Sequence, residues 1–305
     1  MKRTLLIFNP RAGSLHGNLA PIRQLETELQ NRGILVDSAA TKAAGEATRL
    51  AARAVQERYD FLIVCGGDGT INEAAQSLVG ADITLAVYPV GTANVLAKDL
   101  RITRDAKKLS QWIATGQSQT ISIGLAQKPE QQWQRYFLLM AGIGLDAAMV
   151  RSVNPELKRH LGEGAYFLTA MEYLVRWPLI PFRLRVNEKE YRATYAAISN
   201  SPGYGGGFVI APGARMDDEL LNVCIINSHS RLEYLGYAAL AMRGKHTGCA
   251  NITYLETNLI RGEAEQETWV QLDGELVGTL PMTFQVVPEA LRVVTGDGFN
   301  SISNR

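Results

Sequence analysis

The ten residues CGGDGTINEA, at positions 65–74, combine three glycines with a carboxylate between an apolar run and a helical pattern. A helix N-terminus offers N–H groups and partial positive charge to a phosphate, and glycines at 66, 67 and 69 would permit positive φ and close approach by a ligand. A carboxylate beside phosphates is repelled unless a cation lies between them, so Asp68 predicts Mg²⁺. The alternative is a tight turn with Asp68 as an ordinary turn residue.

The start of the helix after this loop is predicted from a capping box. Thr70 occupies the predicted N-cap, and Glu73 follows three residues later. In this pattern each side chain accepts a hydrogen bond from the other residue's backbone N–H. The sequence therefore predicts a helix over 70–79 whose first turn faces the bound phosphate.

Two further loops carry similar chemistry. Residues 8–14 (FNPRAGS) follow the first apolar run, and residues 89–100 (PVGTANVLAKDL) follow the fourth. Gly13 and Ser14 offer donors in the first, and Thr92 lies before the predicted helix of the second. The carboxyl edge of a parallel sheet is where ligands bind in this architecture, so three such loops predict one shared site.

The elements that must position these loops alternate between strand and helix through residue 116. Such alternation predicts a doubly wound parallel α/β sheet. The predicted strands are 4–8, 34–40, 61–65 and 83–90, and the predicted helices are 18–32, 46–59, 70–79, 94–100 and 105–115.

The pattern changes after about residue 117, where short strands dominate and predict a β-sandwich-like domain. We expect an α/β domain over 1–120 and a β-rich domain over 121–289, with a return of 290–305 to the first domain left open. The predicted strands are 121–127, 136–141, 182–187, 193–199, 208–212, 220–226, 252–257, 269–274, 280–287 and 291–294, with helices over 165–177 and 231–242.

The composition limits the function classes. A net charge of +1 over 305 residues gives no electrostatic case for nucleic-acid binding. Three widely spaced cysteines indicate reduced thiols and a cytoplasmic protein. The sequence has no 18-residue apolar stretch, no P-loop motif, and four histidines without metal-ligand spacing.

Six segments, in this order, resemble the diacylglycerol kinase catalytic domain family, specifically soluble bacterial lipid kinases that are also similar to sphingosine and ceramide kinases. They are NPRAGS, GGDGTINEA, PVGTANVLA, GIGLDA, GGGFVIAPGARMDD and LDGE at 272–275. The GGDGT motif alone is shared with NAD kinases and resembles a phosphofructokinase motif. Asn72 and Glu73 directly after it, together with LDGE, favour the lipid kinases.

This resemblance implies an ATP-dependent kinase with its active site in the cleft between two domains. It implies catalytic roles for Asp68, Asp273 and Glu275, with Glu275 as the first choice of general base, because a positioned carboxylate can accept the proton of a lipid hydroxyl. LDGE alone is also compatible with a plain β-turn. The implied ATP contacts are Asn9, Pro10, Arg11, Ala12, Gly13, Thr41, Gly66, Gly67, Asp68, Gly69, Thr70, Ile71, Asn72 and Thr92.

The resemblance also implies a Mg²⁺ site in the second domain, formed by the carbonyls of Arg215 and Leu220 and the side chain of Asp218. The sequence departs from the family here, because Glu219 replaces the usual glycine and Asn222 the usual aspartate. Val95 replaces the usual acid after GT-x-N and fits sphingosine-kinase-like variants. Retention of the metal site, and the choice between a diacylglycerol-like and a sphingoid lipid, therefore stay open.

The expected partner is a lipid, reached through peripheral membrane contact by a cytoplasmic protein. Residues 175–185 (VRWPLIPFRLR) mix apolar side chains with three arginines and would suit an anionic membrane surface. The alternative is a buried helix that runs into a strand. A homodimer stays open, as do two other functions: an NAD kinase-like enzyme, and a non-catalytic regulator that binds nucleotide or lipid.

Overall fold

The computed structural model describes residues 1–13, 15, 17–152, 178–203, 209–241, 248–249 and 251–299. The chain divides into two compact units, Met1–Ser122 with Pro288–Arg305, and Ile123–Val287. Ser14, the helix predicted over 165–177 and the start of the segment 175–185 lie outside the described residues.

The first unit has strands and helices in alternation, which confirms the predicted α/β class. Each element has the type that the sequence predicts, with ends that differ by a few residues. They are β1 (Arg3–Phe8), α1 (Ala20–Gln30), β2 (Leu35–Ala40), α2 (Glu46–Gln56), β3 (Phe61–Gly66), α3 (Asp68–Ala75), β4 (Thr84–Pro89), α4 (Val95–Asp99) and α5 (Ala106–Thr115).

The sheet of this unit has the strand order β2-β1-β3-β4, and these strands are parallel. Strands β3 and β4 are buried along their whole length, as the middle strands of a parallel sheet must be. In the parallel register Cys65 of β3 lies beside Phe8 of β1 and Tyr88 of β4, so the carboxyl ends of the three strands lie side by side at one edge. The three loops predicted to bind phosphate follow these ends.

The second unit is mostly strands, as predicted. The first and last of its strands, β5 and β16, continue along the chain into the first unit. The elements are β5 (Ser118–Lys128), β6 (Trp133–Phe137), β7 (Met140–Gly144), α6 (Leu145–Ser152), β8 (Phe182–Val186), β9 (Lys189–Ala193), β10 (Tyr195–Ser199), β11 (Leu221–Ile226), α7 (Arg231–Ala241), β12 (Ile252–Thr257), β13 (Leu259–Glu263), β14 (Trp269–Leu272), β15 (Glu275–Thr279) and β16 (Met282–Val294).

The strands of this unit form antiparallel pairs in two sheets. One sheet has the order β12-β11-β10-β7-β14-β15, and the other contains β16-β13-β8-β9 with β5 and β6. Buried side chains from both sheets make one core, including Ile143 and Val223 from the first and Phe137, Leu184 and Phe284 from the second. This confirms the predicted β-sandwich-like class.

Several elements of the second unit differ from the sequence predictions. Helix α6 and strands β9, β13 and β15 were not predicted, and the strand predicted over 136–141 is divided between β6 and β7. In the described part of the strand predicted over 208–212, only an isolated bridge from Val209 to Gly203 forms.

Strand β8 contains the end of segment 175–185, which was predicted either to contact a membrane or to be buried. Its burial alternates, so Phe182 is in the core while Arg183 and Arg185 are exposed. Phe182 therefore does not belong to an exposed apolar surface, which agrees with the alternative of a strand in the core. In the described part of the chain, no helix has the length and apolar character needed to cross a membrane.

Candidate functional site

The three glycine-bearing loops of the first unit contact one another. The Asn9 N–H donates to the Cys65 carbonyl at 3.0 Å, and the Val90 N–H donates to the Gly66 carbonyl at 3.3 Å. A Cβ atom on Gly13 would lie 2.7 Å from the Val90 carbonyl oxygen. The structure therefore brings together the loops after β1, β3 and β4, as the sequence predicts.

The glycines in these loops allow close backbone packing, and the positive φ that they would permit is not used. None of Gly66, Gly67 and Gly69 has a positive φ, and Gly67 has φ −93°. A Cβ on Gly91 would lie 2.4 Å from the Gly67 Cα, a distance too short for any side chain at position 91. A Cβ on Gly66 would lie 2.7 Å from the Thr70 Cβ. The glycines let neighbouring backbones, and the first turn of α3, approach closely.

The predicted capping box is wrong. Helix α3 begins at Asp68 with Gly67 as N-cap and no side-chain cap, so Thr70 lies inside the helix. The Glu73 carboxylate accepts a hydrogen bond from the Gly45 N–H at 2.9 Å. A tertiary partner before α2 has therefore taken the place of the local one.

The Asp68 carboxylate joins two of the loops. Its Oδ2 accepts from the Val95 N–H and its Oδ1 from the Leu96 N–H, both at 3.2 Å. Asp68 thus caps α4 from the first turn of α3, where negative charge suits the helix dipole. The side chain is only half-buried, so lone pairs remain for a cation.

The loop before α4 is fixed by Asn94, which has φ 49°. Its Oδ1 accepts from the Gly91 N–H at 2.9 Å, and its Nδ2 donates to the Gly91 carbonyl at 2.8 Å. Thr92 lies between these two residues and is exposed. Val95, at the position where the family has an acid, is buried and contributes its backbone N–H to Asp68.

The other predicted ATP contacts divide into exposed and buried groups. The Asn9 side chain accepts from the Arg11 N–H at 2.9 Å. The Thr41 N–H donates to the Phe8 carbonyl at 2.8 Å, so Thr41, which follows β2, lies beside the end of β1. The side chains of Ala12, Ile71 and Asn72 are buried, at 8%, 0% and 3% exposure. These three residues stabilise the loop and α3 from the inside.

In the second unit, LDGE forms the turn between β14 and β15. Asp273 and Gly274 have φ 49° and 84°, the two positive values of a tight hairpin turn. The Asp273 carboxylate accepts from the N–H groups of Leu138, Leu139 and Met140 at 2.7, 2.9 and 2.9 Å. These three bonds hold the bend that separates β6 from β7. The Asp273 carboxylate is therefore engaged with these backbone groups.

Glu275 is the first residue of β15 and remains accessible. Its Oε2 forms an ion pair with Arg135 of β6, and its side chain is 44% exposed while that of Arg135 is 26% exposed. Sequence reasoning missed Arg135, which is separated from Glu275 by 140 positions. The structure thus presents one accessible carboxylate, Glu275, beside one that is engaged with the backbone.

The residues predicted to hold Mg²⁺ lie just before β11. The Asp218 Oδ1 accepts from the Leu220 N–H at 3.1 Å, while Asp217 makes two bonds to the Arg215 guanidinium at 3.0 and 2.9 Å. Burial, followed by the negative charges of Asp217 and Glu256, raises the pKa of Asp218.

A hard cation would relieve this accumulation of negative charge. One carboxylate and two carbonyls are the oxygen donors that Mg²⁺ accepts, so the residues present fit the ion. Within the described ranges, no group of three His, Cys, Asp or Glu side chains is placed to hold a metal. Carbonyls and water would have to complete the coordination.

Comparisons with known proteins agree with the α/β and β-sandwich-like parts of the fold. Residues 3–126 match the family model described as diacylglycerol kinase catalytic domain, and residues 140–295 match the one described as YegS C-terminal NAD kinase beta sandwich-like domain. A Bacillus subtilis protein named diacylglycerol kinase is 31% identical over 303 residues, with 96% of each chain covered.

The chain belongs to the diacylglycerol kinase catalytic domain family. A family relative named diacylglycerol kinase from Mycobacterium tuberculosis H37Rv is 29% identical over 298 residues, covering 94% of this chain and 93% of the relative. A crystal structure titled as a diacylglycerol kinase from Bacillus anthracis Sterne has the same fold, with a TM-score of 0.76, 23% identity, and coverage of 98% of this chain and 99% of that one. As a member of the diacylglycerol kinase family, the chain is a kinase that acts on a lipid hydroxyl.

Proposed function

We propose that the chain is an ATP-dependent lipid kinase that transfers the γ-phosphate of ATP to a hydroxyl of a diacylglycerol-like or sphingoid lipid. The observation that carries this proposal is the convergence of three glycine-bearing loops at the carboxyl edge of one parallel sheet. Such an edge is where α/β sheets bind nucleotides. The family assignment adds the lipid hydroxyl as acceptor.

In this proposal the first unit binds ATP. The first turn of α3 offers its N–H groups and partial positive charge to the phosphates. The implied contacts with exposed or half-exposed side chains, such as Asn9, Arg11, Thr41 and Thr92, surround the same sheet edge. Asp68 holds the start of α4 and keeps lone pairs for the Mg²⁺ that accompanies ATP.

Glu275 acts as the general base. The acceptor hydroxyl must lose its proton as its oxygen bonds to phosphorus, and an accessible carboxylate within hydrogen-bond reach can accept that proton. Arg135 holds one Glu275 oxygen, which leaves the other for the substrate. Asp273 serves as a positioning residue, because its oxygens accept three backbone N–H groups.

A second Mg²⁺ would be held by the Asp218 side chain with the carbonyls of Arg215 and Leu220. When bound, the ion would supply positive charge beside Asp218 and Glu256, while Asp217 is already paired with Arg215. A cation bound there would favour the ionised form of Asp218, whose pKa is raised chiefly by burial and also by the charges of Asp217 and Glu256.

The names of the relatives favour diacylglycerol as the first substrate to test, and Val95 keeps sphingoid lipids on the panel. Because these acceptors reside in membranes, we propose transient contact of a cytoplasmic protein with a membrane surface. Arg183 and Arg185, which are exposed on β8, would suit anionic lipid headgroups.

The test is transfer of labelled γ-phosphate from ATP with Mg²⁺ to lipids in mixed micelles. The panel contains diacylglycerol, monoacylglycerol, ceramide, sphingosine and phosphatidylglycerol, with NAD⁺ as an added acceptor. We expect a labelled lipid that is absent with the Asp68→Ala variant. Label in NADP⁺ alone, or ATP binding without transfer to any acceptor, would contradict the proposal.

A further inference from the structure

A pair of buried polar side chains lies directly behind the LDGE turn. Gln271 of β14 is 2% exposed, and Asp146 in the first turn of α6 is 0% exposed. The Gln271 Nε2 donates to the Asp146 Oδ2 at 2.5 Å, across 125 positions of sequence. Neither residue has a role in the nucleotide or metal chemistry described above.

Gly142 provides the space for this pair. It lies opposite Gln271 in the pairing of β7 with β14. A Cβ on Gly142 would lie 1.7 Å from the Asp146 Oδ2 and 2.6 Å from the Gln271 Nε2. Any side chain at 142 would therefore displace the contact, which accounts for the first glycine of the GIGLDA segment.

The chemistry of Asp146 fixes the orientation of the Gln271 amide. The Asp146 Oδ2 accepts from the Gln271 Nε2, so the NH₂ group of Gln271 faces the carboxyl group. The amide oxygen then faces the opposite way, where Gln271 Oε1 accepts from the Gly274 N–H at 2.6 Å. The buried carboxylate thus determines which atom meets the turn.

The Gly274 bond completes the support of the turn that carries Glu275. On one side, the Asp273 N–H donates to the Met140 carbonyl at 3.0 Å and the Asp273 carboxylate binds the bend before β7. On the other side, Gln271 binds Gly274, the residue directly before Glu275. The backbone at Glu275 is therefore set by Asp273 and Gln271 together.

We propose that Gln271, oriented by Asp146, is a positioning residue for Glu275. This inference rests on the proposed role of Glu275 as general base. Loss of the bond to Gly274 would let the turn shift, and a displacement of about 1 Å at a reacting group can lower the rate about 100-fold. Binding of ATP by the first unit would not depend on it.

The proposal can be tested by exchanging the amide and the carboxylate between positions 271 and 146. In the Q271E variant two buried carboxylates face each other, so at a pH where the pair has lost its shared proton they repel and the contact is lost. In the D146N/Q271E double variant, the introduced asparagine would donate to one oxygen of the introduced glutamate, while the other oxygen of that glutamate accepts from the Gly274 N–H. The D146N single variant completes a double-mutant cycle, because an amide pair can still form there.

For Q271E we expect a kcat decrease on the order of 10- to 100-fold, an unchanged KM for ATP, and faster hydrogen exchange in the peptide that contains Gly274. For the double variant we expect kcat and exchange to return most of the way to those of the parent. Thr194→Val is the control, because it removes a buried hydroxyl that donates to the Ser228 carbonyl at 2.8 Å and lies 2.6 Å from the Tyr234 hydroxyl, two partners outside the turn. It should lower stability and leave kcat unchanged.

Three results would overturn the proposal: normal kcat for Q271E, a double variant no faster than Q271E while D146N is active, or an equal kcat loss in Thr194→Val. The proposed function fails in a different way. If Glu275→Gln keeps the parent kcat, Glu275 is not the base, whatever the exchange data show. If the Gly274 peptide of Q271E exchanges no faster than the parent, the network itself fails, whatever role Glu275 has.

Discussion

Two Asp-Gly pairs, Asp68-Gly69 after β3 and Asp273-Gly274 after β14, look alike in the sequence and use their carboxylates differently. Asp68 accepts two backbone N–H groups at 3.2 Å, both from the start of α4. Asp273 accepts three at 2.7–2.9 Å, all from the bend between β6 and β7. Asp68 lies in a helix, whereas Asp273 occupies a tight turn at φ 49°.

The number and length of these hydrogen bonds indicate which of the two carboxylates can still bind another group. Charge-assisted bonds shorten as they strengthen, so Asp273 is the more firmly held, with three of its lone pairs engaged. Asp68 has longer bonds and fewer of them, and the proposed function uses it to hold a cation. At the turn after β14, Glu275 is accessible, two positions after Asp273. An aspartate in a family motif can thus be a structural support for its neighbour.

The largest effect that sharpens this comparison is expected from Asp68→Ala. We expect no measurable turnover, because the cation and phosphate contacts are lost, with a stability loss of about 1 kcal/mol for the missing helix cap. Asp105→Ala is the matched control, since Asp105 caps α5 by accepting from the N–H groups of Lys107 and Lys108 at 2.9 and 3.1 Å. Initial rates and urea unfolding measure both properties. Equal rate losses in the two variants would mean that Asp68 is only a cap.

The next effect is on stability and concerns Asp273→Ala. Three backbone N–H groups would lose a charged partner, so we expect the free energy of unfolding to fall by roughly 2–3 kcal/mol. Urea unfolding of the full chain measures it. Glu265→Ala is the control, because the Glu265 ion pair with Arg183 is at 3.4 Å and its side chain is 83% exposed, which predicts a change below about 1 kcal/mol. A loss from Asp273→Ala no larger than that of the control would contradict the supporting role.

The smallest expected effect compares a glycine in close backbone contact with a glycine that has open space around it. Gly91→Ala places a Cβ 2.4 Å from the Gly67 Cα, so the two loops must separate. We expect a stability loss of about 1–3 kcal/mol and a raised KM for ATP. Gly236→Ala in α7 meets nothing within 4 Å and should gain about 0.5–1 kcal/mol. A normal KM for ATP in Gly91→Ala would show that ATP binding does not depend on the close contact between the two loops.

Periodic features of the chain were predictable from sequence. Continuous apolar runs such as 61–65 produced buried parallel strands, and alternation placed three loops at one sheet edge. These signals depend on neighbours a few residues apart, so a single sequence contains them. The family segments then supplied the kinase class, which the comparisons confirm.

The unpredicted features depend on partners far apart in the chain. The Thr70–Glu73 capping box looked complete, yet Glu73 binds the Gly45 N–H, and the helix begins two residues earlier than predicted. The Arg135–Glu275 and Asp146–Gln271 pairs form across 140 and 125 positions. Local patterns do not contain such contacts, because sheet pairing creates them.

The most direct test of the account compares Glu275→Gln with the parent in single-turnover transfer to micellar diacylglycerol and in ATP binding. We predict a rate loss on the order of 100-fold or more, as for a lost general base, with an unchanged ATP dissociation constant. A rate close to that of the parent would contradict the assignment of Glu275 as the base. Loss of ATP affinity with a normal rate at saturation would place Glu275 in nucleotide binding instead.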